Sequence, residues 1–469
     1  MRQTNQYKID MCNGPILPKL LAFAVPLMCS SILQLLFNAA DIVVVGKFAG
    51  DDALAAVGSN TSLINLLTNF FLGLSIGANV LVARFYGAKE EKETSETIHT
   101  AMLLAVISGI LLTLIGCIGA GQILKWMNTP KEVLPLAATY LRIYFLGMTA
   151  MMLYNFGSAI LRAVGDTKRP LYYLAFAGVI NVLLNLLFVV VFDMSVAGVA
   201  LATVISQCIS AYLIIRCMMR EKDIIRLECK KLRIHKNRFL NILRIGLPAS
   251  FQGMLFSFSN VIIQSSVNSF GNIVVAGNSA AQNIEGFVYV SMNAFHQATI
   301  SFTSQNIGAG RYDRINKILI QAELAVITVG LVLGNLCYVF GRPMLSIFTS
   351  KAVTQDAGMT RIAVICTTYC LCGMMDVMVG SLRGLGYSVI PTIVSLIGAC
   401  GLRLLWIFTF FRMEKFHTLT SLYLTYPASW IVTTIAHIIC YIIVRKKLEH
   451  NLEQKSANCI LVNDVIPDS

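Results

Sequence analysis

The sequence is short of charged residues. Asp, Glu, Lys and Arg make up 13% of its 469 residues, whereas hydrophobic residues make up 56%. A soluble domain usually has about 25% charged residues. This apolar share exceeds what one globular core can bury, so we expect the surplus to face lipid. The composition therefore excludes a wholly soluble protein and indicates an integral membrane protein.

The sequence also lacks the motifs of common catalytic and metal sites. It contains no Walker A loop, so ATP does not drive it directly, and no His-Glu-x-x-His or Gly-x-Ser-x-Gly segment. Its 13 cysteines include no Cys-x-x-Cys pair, and cysteines inside apolar runs are typical of small buried hydrophobic residues. We predict no catalytic residue, no metal site and no bound cofactor.

Long hydrophobic runs are what the chain has in abundance. A membrane helix needs about 20 apolar residues, and we predict twelve such helices. The predicted bounds are 18–44, 54–82, 97–121, 135–161, 171–192 and 196–219 in the first half, and 240–267, 275–304, 315–340, 357–382, 391–411 and 421–444 in the second. The fold class is therefore all-α, and because twelve is an even number, both termini lie on the same side of the membrane.

Basic residues indicate which side that is. The chain has 37 Lys and Arg against 24 Asp and Glu, a net charge of +13. Roughly 27 of the 37 fall on the side of the termini, about eight on the other side, and two, Arg142 and Arg403, far from the ends of predicted helices. The positive-inside rule places both termini in the cytoplasm. It also explains the basicity without a nucleic acid partner, although anionic lipid could contact the basic loops.

A short pattern occurs twice, 221 residues apart. Arg162, Gly165 and Pro170 have the same spacing as Arg383, Gly386 and Pro391. Further pairs with an offset of 221 or 222 are Gly87 and Gly308, Ala88 and Ala309, Pro26 and Pro248, and Phe48 and Phe270. The repeat predicts two homologous six-helix bundles related by a pseudo-two-fold axis along the membrane normal. We expect a first bundle over 1–219, a cytoplasmic linker over 220–239, a second bundle over 240–444 and a loose polar cytoplasmic tail over 445–469.

A polar stripe runs along the first predicted helix. Gln34, Asn38 and Asp41 are spaced by four and three residues, so they share one face. An ionisable side chain in hydrocarbon is costly and usually functional. We interpret Asp41 as a reversible carrier of a cation, and the alternative is a carboxyl that only joins helices. Polar residues of the fifth and sixth helices could complete a hydrogen-bonded cluster with it: Asn181, Asn185, Thr203 and Gln207.

The second half carries a longer polar stripe. On the predicted eighth helix, Gln282, Glu285, Tyr289 and His296 follow one another at steps of three, four and seven residues. Such a stripe indicates a wet face, and we predict a substrate site around it. The substrate residues that we predict are Gln252, Asn260, Gln282, Glu285, Tyr289 and Asp376. We interpret His296 by itself as a hydrogen-bonded core histidine.

Arg403 lies near the middle of the eleventh predicted helix. Its guanidinium cannot lose its charge in a protein, so it needs an anion. Asp376 and Glu285 are the natural candidates. We predict a structural ion pair there, and whether the pair is static or moves during function is left open.

Several segments form a recognisable set. They are Phe37-Asn38-Ala-Ala-Asp41-Ile-Val-Val-Val-Gly46 with the following 53–58, Met127-Asn128-Thr-Pro130, Val196-Ala-Gly198-Val-Ala-Leu-Ala-Thr203, Gln305-Asn306-Ile-Gly308-Ala-Gly310 and the twin Arg-x-x-Gly loops. In combination, over residues 14–445, the chain resembles the multidrug and toxic compound extrusion (MATE) family. The resemblance implies a V-shaped pair of six-helix bundles that exports organic cations in exchange for H⁺ or Na⁺.

The resemblance also implies roles for individual residues. In the prokaryotic branch that this chain resembles, an aspartate of the first helix carries the coupling ion, and Asp41 matches it. A nearby glutamine, an asparagine of the fifth helix and a threonine of the sixth match as Gln34, Asn181 and Thr203.

The chain departs from the family pattern at two places. The branch can carry a second acid one turn after the fifth-helix asparagine, and this chain has Asn185 there. The other prokaryotic branch has a glutamate in the seventh helix, where this chain has Gln252 and Phe256. We therefore expect coupling to rest on Asp41 in the first half, and Glu285 or Asp376 could serve the second.

We predict a secondary active antiporter that exports amphipathic organic cations, including xenobiotics, by alternating access. The nearest alternative is a flippase for a lipid-linked or amphipathic substrate of the same wider superfamily, which would need a more cationic cavity. A membrane enzyme acting on lipids would need His, Asp or Ser clusters at the interface, and a channel or receptor is disfavoured by the duplication with an isolated buried acid. We expect a monomer in a bacterial cytoplasmic membrane, with small organic cations and membrane lipid as its partners.

Overall fold

The structure, a computed structural model, describes residues 7–127 and 129–463 and contains no strand among them. The α-helices of the first half are α1 (Ile16–Phe48), α2 (Asp51–Gly87), α3 (Glu91–Trp126), α4 (Leu134–Leu146), α5 (Met148–Ala163), α6 (Lys168–Asn185) and α7 (Ser195–Arg220). Those of the second half are α8 (Lys236–Asn268), α9 (Asn272–Gly308), α10 (Ile315–Val339), α11 (Gly341–Ser346), α12 (Ala352–Ile365), α13 (Tyr369–Gly384), α14 (Val389–Ser395), α15 (Leu402–Phe408) and α16 (Leu419–Asn463). Two π-helical segments, Leu186–Val191 and Leu396–Gly401, follow α6 and α14. Short 3₁₀ turns occur at Cys229–Lys231, Tyr312–Arg314, Cys366–Thr368, Phe410–Arg412 and Glu414–Phe416.

Within the described residues, twelve long helical stretches correspond to the twelve predicted spans. Ten are long and apolar enough to cross a bilayer, and the pair α4 and α5, bent by 46°, makes an eleventh. The twelfth is α9, which has many polar side chains but the same length of 37 residues as α2. Several helices extend beyond their predicted ends, because the chain stays helical where it leaves the hydrocarbon. The predicted all-α membrane fold is confirmed.

Backbone landmarks recur with the spacing of the sequence repeat. Gly165 and Gly386, 221 residues apart, both have positive φ angles, 92° and 96°. This left-handed region favours glycine, and each glycine ends an Arg-x-x-Gly loop at the same place in its half. The sequence repeat therefore corresponds to a structural repeat.

The first helix of each half crosses into the other half. Leu20 and Phe23 of α1 belong to the apolar cluster that the second half builds, whereas Val45 of α1 belongs to the cluster of the first half. The helix α8 does the reverse, with Ile242 in the first cluster and Val267 in the second. Each bundle thus packs half of its first helix against the other bundle. The predicted division of the chain into bundles ending at 219 and beginning at 240 stays a prediction, and α1 and α8 contact both bundles.

The connection between the halves and the end of the chain differ from expectation. The helix α8 already begins at Lys236, so the connection is residues 221–235 rather than 220–239. The helix α16 continues through Arg445 to Asn463, supported by a hydrogen bond of 3.0 Å from Arg445 Nη2 to Glu449 Oε1 one turn later. The prediction of a loose tail is therefore wrong over 445–463. Residues 1–6, Asn128 of the family-like segment and residues 464–469 lie outside the described residues.

Candidate functional site

A cavity of about 370 Å³ lies inside the first half. Its wall includes four of the five residues that the sequence predicts for ion coupling: Gln34, Asp41, Asn181 and Thr203. Aromatic side chains form another part of the wall: Phe37, Tyr140, Tyr144 and Tyr154. Among the described residues that line this cavity, Asp41 is the only charged one. A cavity with aromatic walls and one carboxyl is suited to an apolar cation.

Asp41 is held by a chain of side-chain hydrogen bonds. Asn185 Nδ2 donates to Asp41 Oδ1 and, at 3.3 Å, to Asn181 Oδ1. Asn181 Nδ2 in turn donates to Thr203 Oγ1 at 3.4 Å. The predicted cluster of α1, α6 and α7 residues is therefore present, with Asn185 fully buried behind the cavity wall. These bonds fix the carboxyl of Asp41 against α6.

The backbone around Asn185 explains how α1 and α6 bring these side chains together. A Cβ on Gly178 of α6 would lie 1.8 Å from the ring of Phe37 on α1, so glycine is what allows this close approach. Asn185 ends α6 and is followed at once by the π-helical segment Leu186–Val191. Segments of this kind are frequent at functional sites because they redirect the side chains of a helix.

A larger opening, of about 580 Å³, lies on the surface beside the connection 221–235. Its wall mixes acids and bases: Glu91, Lys92, Glu96, Lys230, Lys231 and Arg233, with Ser95, His99 and His235. Solvated charges of both signs give it no single ligand preference. We therefore place the candidate site in the enclosed cavity around Asp41.

The predicted substrate residues of the second half differ in their exposure. Asn260, Gln282 and Tyr289 are exposed, whereas Gln252 is buried. Gln252 Oε1 accepts hydrogen bonds from Arg383 Nη2 at 2.9 Å and from Thr392 Oγ1 at 3.3 Å. Its amide oxygen is thus used inside the protein, and the contact of Gln252 with substrate stays a prediction.

Glu285 is also engaged internally. Arg361 Nε donates to Glu285 Oε2 at 3.0 Å and Arg361 Nη2 donates to Glu285 Oε1. Arg361 Nη1 donates to Asn278 Oδ1 at 2.8 Å. Both charged residues are at least nine-tenths buried, so Glu285 is part of a buried ion pair, and its contact with substrate stays a prediction.

The predicted ion pair of Arg403 is wrong. None of the ion pairs in the described part of the chain includes Arg403. Its Nε donates to Ser429 Oγ at 2.9 Å, and its guanidinium lies 4.3 Å from the ring centre of Tyr426. Glu285 is taken by Arg361, and Asp376, half-buried on α13, does not reach Arg403 within ion-pair distance.

His296 is the core histidine that the sequence predicts. It is buried on α9, and its Nδ1 lies 2.6 Å from the main-chain carbonyl oxygen of Asp376. This contact joins α9 to α13 through the backbone rather than through the carboxyl of Asp376. The interpretation of His296 as hydrogen-bonded core is confirmed.

The two halves are tied together at one end of the molecule, which we call the inner end because it contains the connection 221–235 and the Arg-x-x-Gly loops. Arg84 Nη2 donates to the carbonyl oxygen of Gly384 at 3.3 Å. Gln305 Nε2 donates to the carbonyl oxygen of Ala163 at 2.9 Å. The two donors are 221 residues apart, and so are the two acceptors. The bonds are thus symmetry counterparts that hold the inner end closed.

Residues 7–15, which we call the N-terminal strap, lie across this closed end. On the first half, the backbone N–H of Ile9 donates to the carbonyl oxygen of Gly165 at 3.1 Å. On the second half, Asn306 Nδ2 donates to the carbonyl oxygen of Met11 at 3.0 Å, and Arg314 Nη2 donates to that of Gly14 at 2.9 Å. The strap therefore contacts both halves at once.

An ionic cluster fixes the start of the strap. Lys8 Nζ lies 3.2 Å from Glu221 Oε2 and 2.9 Å from Asp223 Oδ2. Arg169 also pairs with Glu221 and with Asp166. Burial would raise the pKa of Asp223, but hydrogen bonds from Lys8 and from the N–H of Ile224, with the charge of Lys8, lower it overall. The carboxyl of Asp223 is therefore ionised at neutral pH where it contacts Lys8.

Sequence patterns alone did not reveal the ion pair between Arg361 and Glu285 or the N-terminal strap. Arg361 is four residues inside the predicted tenth span, but α12 begins at Ala352, so Arg361 actually lies well within the helix. The signal available in the sequence was that Arg361, a basic residue, lies inside a predicted span and therefore needs an acidic partner. The strap has no hydrophobic periodicity, and only its short length and polar composition distinguish it in the sequence.

The family model MatE matches the chain twice, over residues 26–187 and 248–409. The two matches begin 222 residues apart, which confirms the internal repeat. "Probable multidrug resistance protein YoeA" of Bacillus subtilis is 30% identical over 433 residues, 91% of this chain and 93% of the relative. "Probable multidrug resistance protein NorM" of Thermotoga maritima is 23% identical over 397 residues, 82% of this chain and 84% of the relative.

Solved structures share the fold. One, described as an outward-facing conformation of a multidrug resistance MATE family transporter, has a TM-score of 0.84 at 19% identity, over 94% of this chain and 98% of the other. A transporter from Pyrococcus furiosus, described as having a binding pocket of reverse polarity, has a TM-score of 0.82 at 20% identity, over 95% of this chain and 98% of the other. At these identities the likeness shows the architecture alone.

Proposed function

The chain belongs to the MatE family, and we propose that it is a multidrug efflux transporter that exports amphipathic organic cations in exchange for H⁺ or Na⁺. Family membership makes it a membrane transporter and not an enzyme. The observation that carries the proposal is the cavity of the first half, where Asp41 is the only charged residue among the described residues of the lining. We further propose a monomer with both termini in the cytoplasm, without a cofactor beyond the coupling ion and without a nucleic acid partner.

Exchange follows from competition for one carboxyl. An organic cation in the cavity is stabilised by the ionised form of Asp41 and by the faces of nearby tyrosines. When H⁺ or Na⁺ binds that carboxyl, the cation loses its counter-charge. The hydrogen bond from Asn185 then weakens as well, because a neutral acceptor binds a donor less strongly than a charged one does. Release of substrate and uptake of the coupling ion are thus linked at one group.

The inner end supplies the second part of alternating access. In the described part of the chain, the hydrogen bonds between the two halves lie toward the inner end, as Arg84 to Gly384 and Gln305 to Ala163 do. We infer that the cleft between the halves opens on the opposite, outer side in this conformation. Opening to the cytoplasm requires these bonds and one side of the N-terminal strap to separate. The coupling ion can bias this change only by binding the two states differently.

Vesicle transport tests the proposal. The full chain is reconstituted into vesicles with ethidium, and its movement is followed after a pH gradient or a Na⁺ gradient is imposed. We expect one gradient to drive ethidium transport and Asp41→Asn to abolish that dependence. Asp52→Asn, an exposed acid near the start of α2, is the matched control and should transport normally. Undiminished gradient-driven transport by Asp41→Asn would remove Asp41 from the coupling role.

A further inference from the structure

Arg403 is a charged group inside a membrane span without an anion of its own. It lies within the span Val389–Arg412 and is 7% exposed. Its guanidinium stays ionised, and a buried charge of this kind is normally compensated by an opposite charge. In the described residues no carboxylate lies within ion-pair distance of it, as noted above. The guanidinium of Arg403 is therefore surrounded by aromatic rings and a hydroxyl rather than by a carboxylate.

The nearby Arg361 shows what such compensation looks like in the same fold. Both guanidinium groups lie over the ring of Tyr426, at 5.6 Å for Arg361 and 4.3 Å for Arg403. The terminal nitrogens of Arg361 bind Glu285 and Asn278. This part of the second half thus contains two guanidinium groups but only one carboxylate that is paired with either.

The side chain of Arg403 is held in a fixed orientation. Trp430 lies 5.8 Å from its guanidinium carbon, close to Tyr426. Ser429 accepts the hydrogen bond from Nε. The terminal nitrogens Nη1 and Nη2 have no hydrogen-bond partner among the described residues, and they are not among the fully buried unpaired atoms. A guanidinium with two free N–H groups in a fork matches the two oxygens of a carboxylate or phosphate.

The local backbone supports a binding role. The π-helical segment Leu396–Gly401 ends two residues before Arg403. In the first half, the π-helical segment Leu186–Val191 directly follows Asn185, the partner of Asp41. In each half, then, an irregular helical turn lies next to or close to a buried polar residue, and such turns are frequent at functional sites.

We propose that Arg403, with Tyr426, Ser429 and Trp430, forms a binding site for an anionic carboxylate or phosphate group. Nη1 and Nη2 bind two oxygens of the group, and the rings of Tyr426 and Trp430 hold the guanidinium in place. The site is separate from Asp41 and does not depend on the coupling mechanism. The anionic group belongs either to a soluble ligand or to the headgroup of an anionic lipid.

Trp430 provides a reporter for this site. The full chain with Trp126→Phe and Trp406→Phe retains Trp430 as its only tryptophan. Fluorescence of the purified protein is titrated with benzoate in one arm and inorganic phosphate in a second. In a third arm the protein is placed in bilayer discs with increasing phosphatidylglycerol in phosphatidylcholine. We expect a saturable change in at least one arm. A change with benzoate or phosphate identifies a soluble ligand, and a change with phosphatidylglycerol alone identifies lipid.

Substitutions decide whether Arg403 is responsible. Arg403→Gln should raise the half-saturating concentration at least tenfold. The control is Arg412→Gln, which should leave that concentration unchanged, because Arg412 is exposed and lies over Phe408 at the end of the same span. If Arg403→Gln does not fold, Arg403→Lys keeps the charge but removes the fork, and it should also weaken binding. Asp41→Asn should bind normally, which separates this site from the proposed exchange site. No saturable change in any arm, or equal affinity in the Arg403 variants, overturns the proposal.

Discussion

Gly87 and Gly308 each lie against the backbone of the helix that carries the other. A Cβ on Gly87 would be 2.2 Å from the carbonyl oxygen of Gln305, and a Cβ on Gly308 would be 1.8 Å from that of Arg84. Both distances are far below van der Waals contact, so the ends of α2 and α9 can cross this closely only because both residues are glycine. The crossing is symmetric in the repeat and lies at the inner end, where the two halves close on each other.

The first prediction is that Gly308→Ala prevents full closure of the inner end. Its Cβ would meet backbone rather than a mobile side chain, and overpacking of this kind costs about 1–3 kcal/mol, or about 5- to 150-fold in the closed population. A chain that retains Cys12 as its only cysteine reports closure, since Cys12 Sγ lies 3.7 Å from Gln305 Oε1 at the crossing. We expect maleimide to label Cys12 several-fold faster in the variant.

The control for this experiment comes from the same helix. A Cβ on Gly286 of α9 would meet nothing within 4 Å, so Gly286→Ala should label at the original rate. If Gly308→Ala also labels at the original rate and transports normally, the crossing is not what limits opening.

The second prediction concerns the ionic cluster of the N-terminal strap. Because the pKa of Asp223 is lowered in the folded protein, the cluster stabilises the fold above the ordinary carboxyl pKa of about 4, and this contribution disappears as pH falls through the lowered pKa. Asp223→Asn should therefore lower stability by about 1 kcal/mol or less at pH 7. Thermal unfolding in detergent should show this difference between pH 5 and pH 8 and none at strongly acidic pH. A difference that grows on acidification would contradict the stated role.

Sequence reasoning captured the fold because its main signals are local. Runs of about 20 apolar residues give the spans, and the repeat gives their arrangement. The helix α9 illustrates the value of the second signal. It is too polar to pass as a span by composition, yet it occupies the place that the repeat assigns to the counterpart of α2. The exchange of half-helices by α1 and α8 was not predictable, because apolar spacing does not tell one apolar partner from another.

The candidate site, like the fold, was predictable from the sequence in one part and not in another. Helical spacing placed Asn181 and Asn185 one turn apart, and the family resemblance implied that Asp41 and Thr203 belong with Asn181. The partner of Glu285 was not predictable in this way. Arg361 and Arg403 are both basic residues of the second half, and the choice between them depends on how α12, α15 and α16 are rotated about their axes. No spacing within a single helix contains that information.

The third prediction tests the buried ion pair. Glu285→Gln leaves Arg361, which is 2% exposed, without its counter-charge, and breaking a buried pair from one side typically costs about 3–5 kcal/mol. We expect a clear fall in the unfolding temperature of the purified protein. Asp356→Asn removes the partner of Arg342 from an exposed pair, with side chains 57% and 60% exposed, and should change stability little. Equal effects of the two substitutions would contradict a structural role for Glu285.

The fourth prediction follows from the single carboxyl of the first cavity. If Asp41 alone binds either one monovalent organic cation or one H⁺ or Na⁺, each exchange moves no net charge. Transport of ethidium should then respond to the ion gradient but not to a membrane potential imposed with K⁺ and valinomycin. Asn185 donates a hydrogen bond to the carboxyl of Asp41, so Asn185→Asp places a second carboxyl beside that of Asp41. Two acids can carry two coupling ions for one substrate cation, so this variant should respond to the potential. A response to the potential in the unmodified chain would show that another acid, such as Asp376 of the second half, takes part in each cycle.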